Sequence, residues 1–319
     1  MARLEAAMAA RPPLVFTGHL DTVPLGTRPW TFSPFEGDVR DGKLYGRGVS
    51  DMKAGVAAAV AAAVEAATGR PNRNIALILT ASEEAGCVGA RSIVETGGLG
   101  IASALVIAEP TGNLPVIGHK GALHLRVNAA GATAHGSMPE LGVNAIYHAA
   151  AAIGRIEAYS LSRTPAHDWL GKETAVVGTI RGGQNLNSVP DACEFTIDIL
   201  TVGDRAHAAI LVEIGEVLGE HASVAETVAN LPSVFTEPEH PFIACVLRIL
   251  RKRRPEVAFE LGIMPYFSDG SVLQPGYGNC PAIILGPGEA SQAHQTDEFC
   301  FVPNIRDAKD IYIDLCRSW

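Results

Sequence analysis

The sequence predicts an α/β protein in which a mostly parallel, doubly wound sheet domain is interrupted by a smaller α+β domain. Three observations predict it. Short aliphatic runs at residues 14–17, 75–80 and 104–108 alternate with helical patterns at 52–67 and 89–96, and such alternation implies a parallel sheet covered on both faces. From about Pro115 the rhythm changes. Strand patterns at 124–129, 175–180 and 193–200 are mixed with helical ones at 143–157 and 206–218, which reads as an antiparallel sheet backed by two helices. After Pro232 the first rhythm returns, with a helix at 242–252, a strand at 282–285 and a last helix from Asn304. Residues 1–114 and 232–319 are therefore read as one sheet domain, and 115–231 as an insert.

Within the insert, the helix at 143–157 is the best defined. Its apolar positions Ala145, Ile146, Ala149, Ile153 and Ile156 fall on one face. The thirty-three glycines and twenty prolines supply the turns that so many short elements require.

Composition narrows the function classes. With 47% hydrophobic and 18% charged residues the chain is globular in character. A net charge of −9 argues against a nucleic-acid partner, and the basic run 248–254 reads as a solvated helix end. The alanine-rich stretch 55–67 is broken by Glu65 and is too short to cross a membrane. Residues 1–13 carry no signal-peptide pattern. Six cysteines without a CxxC pair, several in apolar surroundings, read as reduced buried thiols. The expected location is cytoplasmic.

The chemistry is expected at the carboxyl ends of the parallel strands, where such sheets bind ligands. The first strand runs into Gly18-His19-Leu20-Asp21, the second into Ser82-Glu83-Glu84, and the third into Glu109-Pro110-Thr111. Asp51 follows the glycine-rich turn Gly46-Arg47-Gly48-Val49-Ser50 and opens a helix. Taken singly, each has a plain structural explanation. His-x-Asp can be a bonded loop, paired glutamates are usually solvated, Asp51 can cap its helix, and Glu109 can sit in an exposed turn. Together they crowd carboxylates that would repel one another without a cation among them. Mixed nitrogen and oxygen donors suit zinc.

Seven strings carry a family resemblance: GHLDTVP from Gly18, GRGVSDMKAG from Gly46, SEE from Ser82, AEPT from Ala108, AHGSMP from Ala134, GGQNLNSVP from Gly182 and GPGEASQAHQTDE from Gly286. In type and order they resemble the co-catalytic zinc hydrolases that include acetylornithine deacetylase, succinyl-diaminopimelate desuccinylase, aminoacylases and glutamate carboxypeptidases. The resemblance implies two zinc ions per chain, with cobalt as a possible substitute. His19 and Glu109 would bind one ion, Glu84 and His294 the other, and Asp51 would bridge them. By the same resemblance Asp21 orients His19, and Glu83 is the general base that takes a proton from a water held between the metals. His135 and Asn187, both in the insert, would bind the substrate carbonyl oxygen as it becomes an oxyanion. The insert would serve as a lid and as the contact of a homodimer, from which His135 can reach a neighbouring site. The remaining histidines (His119, His124, His148, His167, His207, His221 and His240) match no ligand motif.

The implied activity is removal of the acyl group from an N-acyl amino acid, as in acetylornithine deacetylase. The implied substrate is a small N-acyl amino acid or short peptide. A metallo-carboxypeptidase or dipeptidase on the same scaffold is the alternative, and a catalytically inactive binding homologue a further one. The chain departs from the family pattern in three places. Its GHLDTVP strand begins near residue 13, where the family's sheet domain usually starts several dozen residues earlier. Leu200 stands where a D-x-R string would place arginine, and Ser271 where desuccinylases carry another.

Overall fold

The computed structural model describes residues 2–4, 11–68, 74–164, 166–203 and 205–319; of the stretch 1–13 that was searched for a signal peptide, only residues 2–4 and 11–13 are therefore described. The chain divides into two compact units, one of Met1–His119 with Val234–Trp319 and one of Lys120–Ser233.

The larger unit is built on an eight-stranded sheet. Its order is Ala2–Leu4, Ile75–Thr80, Leu14–His19, Ala104–Ile107, Ala282–Ile284, Val116–His119 and Val234–Phe235, with Gly262–Met264 also paired to Val116–His119. The central pairings, from Ile75–Thr80 through Ala282–Ile284, are all parallel. Antiparallel pairs lie toward both edges. Every residue of Leu14–His19 is buried, the mark of a strand covered on both faces. Leu14, Phe16, Ala104 and Val106 share a core with the helices Ala54–Thr68, Pro241–Arg253 and Val302–Ser318. The alternate residues Val15, Leu105 and Ile107 are also buried. Against Ile107 packs Gly270, whose added Cβ would lie 2.5 Å from the Ile107 Cδ1.

Two expectations are corrected here. The helix read from residue 52 begins at Ala54, because Asp51 and Met52 leave helical geometry in the turn Val49–Lys53. The segment 116–119, assigned to the insert by a boundary at 115, belongs to the large sheet. There Val116 pairs with Ile284 and His119 with Val234. The smaller unit thus spans Lys120–Ser233 rather than 115–231.

The smaller unit is a four-stranded antiparallel sheet in the order Thr174–Gly182, Ala192–Thr201, Gly121–Ala130, Ala222–Leu231. Leu123, Leu125, Val127 and Ala129 alternate into a core with Phe195, Ile197 and Ile199. The helices Ala145–Ser162 and His207–Leu218 close that core through Ala145, Ala149, Ala152, Ile156, Ile210 and Ile214. Ile146 and Ile153 pack at its margin. Asn144 caps the first helix, its Oδ1 accepting from the amides of Ile146 (2.9 Å) and Tyr147 (3.2 Å). Strand Ala222–Leu231 escaped the sequence reading because two register shifts, at Val224/Glu226 and Thr227/Ala229, break the alternation of apolar and polar residues along it.

The basic run ends the helix Pro241–Arg253, where Arg253 bonds Asp314 at 2.7 Å and Asp310 at 3.4 Å. All six cysteines are buried and none is in a disulfide, and no helix among the described residues is long and apolar enough to cross a membrane.

One close approach sets the position of the helix that follows Asp51. A Cβ on Gly55 would lie 2.2 Å from the Ala108 carbonyl oxygen, so only glycine lets helix Ala54–Thr68 sit against the strand end that carries Glu109. Gly55→Ala is expected to destabilise the protein by about 1–3 kcal/mol, the scale of overpacking in a close-packed core, read as a lowered midpoint in urea unfolding. An unchanged midpoint would mean that the helix shifts without cost.

Candidate metal centre

The strand ends of the larger unit bring the predicted residues together. His19 closes strand Leu14–His19 and is almost wholly buried. Its Nε2 lies 3.2 Å from Asp51 Oδ1 and 3.9 Å from Glu109 Oε1. Its Nδ1 lies 3.0 Å from the Asp21 carbonyl oxygen and 3.5 Å from the Asp21 carboxylate. With Nδ1 so engaged, Nε2 is the nitrogen that faces the carboxylates.

On the other side of Asp51, His294 Nε2 lies 3.5 Å from Oδ2, and 3.2 Å from Glu84 Oε1. The two oxygens of one carboxylate therefore face two different histidines. Two donor groups result, His19-Asp51-Glu109 and Asp51-Glu84-His294, each with ligand atoms within 4.8 Å of one another. Imidazole nitrogens and carboxylate oxygens in this mixture are the donors that divalent transition ions prefer, so the residues fit a pair of such ions sharing Asp51.

Asp21 has a second task. Its Oδ1 accepts from the amide of Glu83 at 3.3 Å and its Oδ2 from the amide of Glu84 at 3.2 Å, which ties the end of one strand to the next. Glu83 is buried within the same cluster. Burial, with the neighbouring Asp269, Glu84 and Asp51 carboxylates, pushes its carboxyl up to about 8 despite the opposing His19. Burial also raises Glu109, with Asp51 next in effect, and raises Glu84 in the same way. His19 rises to about 10: burial opposes its charge, but the bond to Asp51 and the nearby Glu109 and Glu83 outweigh it. For the three glutamates burial is the leading cause and neighbouring carboxylates add to it, whereas for His19 the carboxylates outweigh burial.

Asp51, Glu83, Glu84, Glu109 and His294 line a cavity of about 400 Å³, together with Tyr266, Phe267, Ala290 and Ala293. Tyr266 was not singled out from the sequence. Its hydroxyl is buried with no hydrogen-bond partner among the described residues, and a lone tyrosine carries no sequence signal of that kind. Asp269, which the sequence shows only as part of a small-residue turn, is buried and accepts from the Thr80 hydroxyl.

His135 and Asn187 lie in the smaller unit. His135 ends the short strand Ala134–His135, which pairs with Ser188–Val189 so that His135 opposes Ser188. The Asn187 carbonyl accepts from the Gly136 amide at 2.7 Å, placing the two residues side by side. His135 is exposed, and its Nδ1 accepts from the Ser137 amide at 3.2 Å and lies 2.7 Å from the Ser137 hydroxyl. The ring proton of the neutral form is thereby left on Nε2.

The other histidines have structural partners. His119 bonds Ser268 at 2.9 Å, His207 bonds Thr201 at 2.8 Å and Asn230 at 2.7 Å, and His240 caps the helix Pro241–Arg253. His148 stacks on His221 with ring centroids 4.0 Å apart.

Comparisons with known proteins give the family and the fold. Residues 15–318 match Peptidase family M20/M25/M40. The chain is 29% identical to a probable succinyl-diaminopimelate desuccinylase of Staphylococcus epidermidis, over 97% of this chain and 84% of that one. It is 30% identical to an acetylornithine deacetylase of Salmonella paratyphi B, over 93% and 78%. A metallo-carboxypeptidase of the M20 family from Sulfolobus solfataricus shares the fold, with a TM-score of 0.77 at 17% identity, covering 99% of this chain and 86% of that one.

Proposed function

The chain belongs to peptidase family M20/M25/M40 and is a hydrolase acting on amide bonds, and we propose that its reaction is the metal-dependent removal of an uncharged acyl group, such as acetyl, from the nitrogen of an amino acid. The observation that carries this reading is the Asp51 carboxylate set between His19 and His294, with Glu83 buried beside it. His19, Asp51 and Glu109 would hold one zinc ion, and Asp51, Glu84 and His294 the other.

Bound zinc supplies Lewis acidity, lowering the pKa of a water toward neutrality and polarising the scissile carbonyl. Glu83 takes the proton of the attacking water and later delivers it to the leaving nitrogen. Asp21 holds the amides of Glu83 and Glu84 and so fixes the base relative to its neighbouring ligand. His135, with its proton on Nε2, and Asn187 donate to the carbonyl oxygen as negative charge gathers there. We assign to the smaller unit the roles of lid and dimer contact. Its sheet ends in the edge strand Thr174–Gly182, where Val176 and Ile180 are exposed, and an apolar edge of that kind favours pairing with a second chain.

The acyl side of the substrate follows from charge. Among the described residues that line the cavity there is no lysine or arginine. Ser271 is buried and Leu200 is a strand residue opposite Thr174, so neither offers the cation that a succinyl carboxylate would require.

Three outcomes are expected. The purified protein should hold two metal ions per chain by elemental analysis and cleave N-acetyl amino acids in preference to N-succinyl ones and to dipeptides. Fewer than one ion per chain, or faster turnover of dipeptides, would overturn the reading. Glu83→Gln should keep both ions while losing about a hundredfold or more in turnover, the scale of a general base; parallel loss of metal would make Glu83 a ligand instead. His135→Ala should lower kcat by about a hundredfold with KM and metal content little changed, as for a lost oxyanion donor. If the imidazole crosses between subunits, mixing that variant with Glu83→Gln should restore part of the activity, and full activity of His135→Ala alone would remove it from the mechanism.

A further inference from the structure

We propose that Glu298 is the positioning residue of the metal centre: its buried carboxylate fixes the backbone of 47–51 and, through it, the orientation of Asp51. The proposal rests on the reading above in one respect, that Asp51 bridges two ions.

Glu298 is fully buried, and a carboxylate in that position is costly unless its lone pairs are filled. All of the observed partners come from one short segment. Oε2 accepts from the Arg47 guanidinium at 2.8 Å and from the Gly48 amide at 2.9 Å. Oε1 accepts from the Ser50 amide at 2.7 Å and from the Asp51 amide at 3.1 Å. The Gly46 amide donates to the Glu298 carbonyl at 3.0 Å. The segment therefore wraps around a single anion, and its last residue is the one whose two oxygens face His19 and His294.

The local backbone explains why an anion is needed. Gly48 lies in the left-handed region at φ 79°, and the turn that follows contains non-helical residues. Its amides thus point away from any regular ladder, and buried amides must find acceptors elsewhere. No side chain fits easily at Gly48, where a Cβ would meet Thr22 Cγ2 at 2.4 Å. Arg47 balances the charge. It is buried, donates also to the carbonyls of Gln295 (3.2 Å) and Pro24 (3.4 Å), and lies over the Trp30 ring at 5.0 Å. Ser50 is held from its other side, its hydroxyl donating to the Glu289 carbonyl at 3.1 Å and accepting from the Glu289 amide at 2.7 Å.

A bridging carboxylate has no rotational slack, because both oxygens must be aimed at once. A residue that sets its backbone therefore acts on both metal positions together, whereas the loss of Glu84 or His294 acts first on one. Glu298→Gln keeps the shape but replaces an acceptor oxygen with an amide donor, which would face backbone N–H groups.

The test uses zinc itself, titrated into the metal-free full chain against a competing chelator. Wild type should bind two ions, and a wild type that binds none would overturn the metal reading and this proposal's account of Asp51. Glu298→Gln should fold cooperatively yet bind both ions about 10–100-fold more weakly, the range for partners behind metal ligands. Amide hydrogen exchange at Gly48, Ser50 and Asp51 in metal-free protein should accelerate, a readout that needs no metal. Leu250→Ala, a core truncation in the same unit, serves as the stability control and should leave zinc affinity unchanged. Should Glu298→Gln not fold, Glu298→Asp retains the charge opposite Arg47 but is one methylene short, and should show the same paired weakening. Wild-type zinc affinity in a folded Glu298 variant, unchanged exchange of those amides, or equal weakening in Leu250→Ala would each overturn the proposal.

Discussion

Repulsion among carboxylates is the constraint on which the rest of the larger unit depends. Asp51, Glu83, Glu84 and Glu109 share one cavity wall, and Asp269 lies buried close behind. At such separations, with burial added, anions cannot all keep their charge unless positive charge is brought in. His19 is the first answer, held strongly toward its protonated form by these same neighbours. A pair of dications is a fuller one. The parallel sheet is what enforces the crowding, since three adjacent strands deliver their terminal residues to the same edge. The antiparallel strands toward the outside of the sheet carry none of these groups.

The backbone around the centre is correspondingly constrained. Gly288 would place a Cβ 2.0 Å from the Ser50 carbonyl, and Gly286 2.3 Å from that of Ala108. The loop that supplies His294 therefore lies directly on the turn that supplies Asp51 and on the strand end that supplies Glu109. Rigid support on several sides is what a site needs when its donors must converge within tenths of an ångström.

Much of this was legible in the sequence, and the reason is local. Strand Leu14–His19 announces itself by an unbroken aliphatic run, so His19 and Asp21 could be placed at its end. The same holds for Glu83, Glu84 and Glu109. The helix Ala145–Ser162 was equally plain from its apolar face, though its Asn144 cap was not singled out. What escaped depended on contacts distant in sequence. Glu298 lies 247 residues beyond Asp51, and nothing in the string QTDE says which backbone amides it will meet. Tyr266 carries no periodic signal. Segment 116–119 was read into the wrong unit because a short apolar run does not disclose the strand it will join, and Ala222–Leu231 was missed because its two register shifts interrupt the period of two.

The pairing of His119 with Val234 has a consequence for the course of the chain. These are the last residue before the smaller unit and the first after it, and cross-strand partners in an antiparallel pair lie about 5 Å apart. The polypeptide thus leaves the larger unit and returns to it at a single point, as though through a clip. A gap of that size is one a tight turn spans, so the register of the two strands does not depend on the length of the 114 residues between, Lys120–Ser233. Such a doorway leaves the pairing of the strands that end in His19 and Glu109 independent of the part of the chain that carries His135 and Asn187.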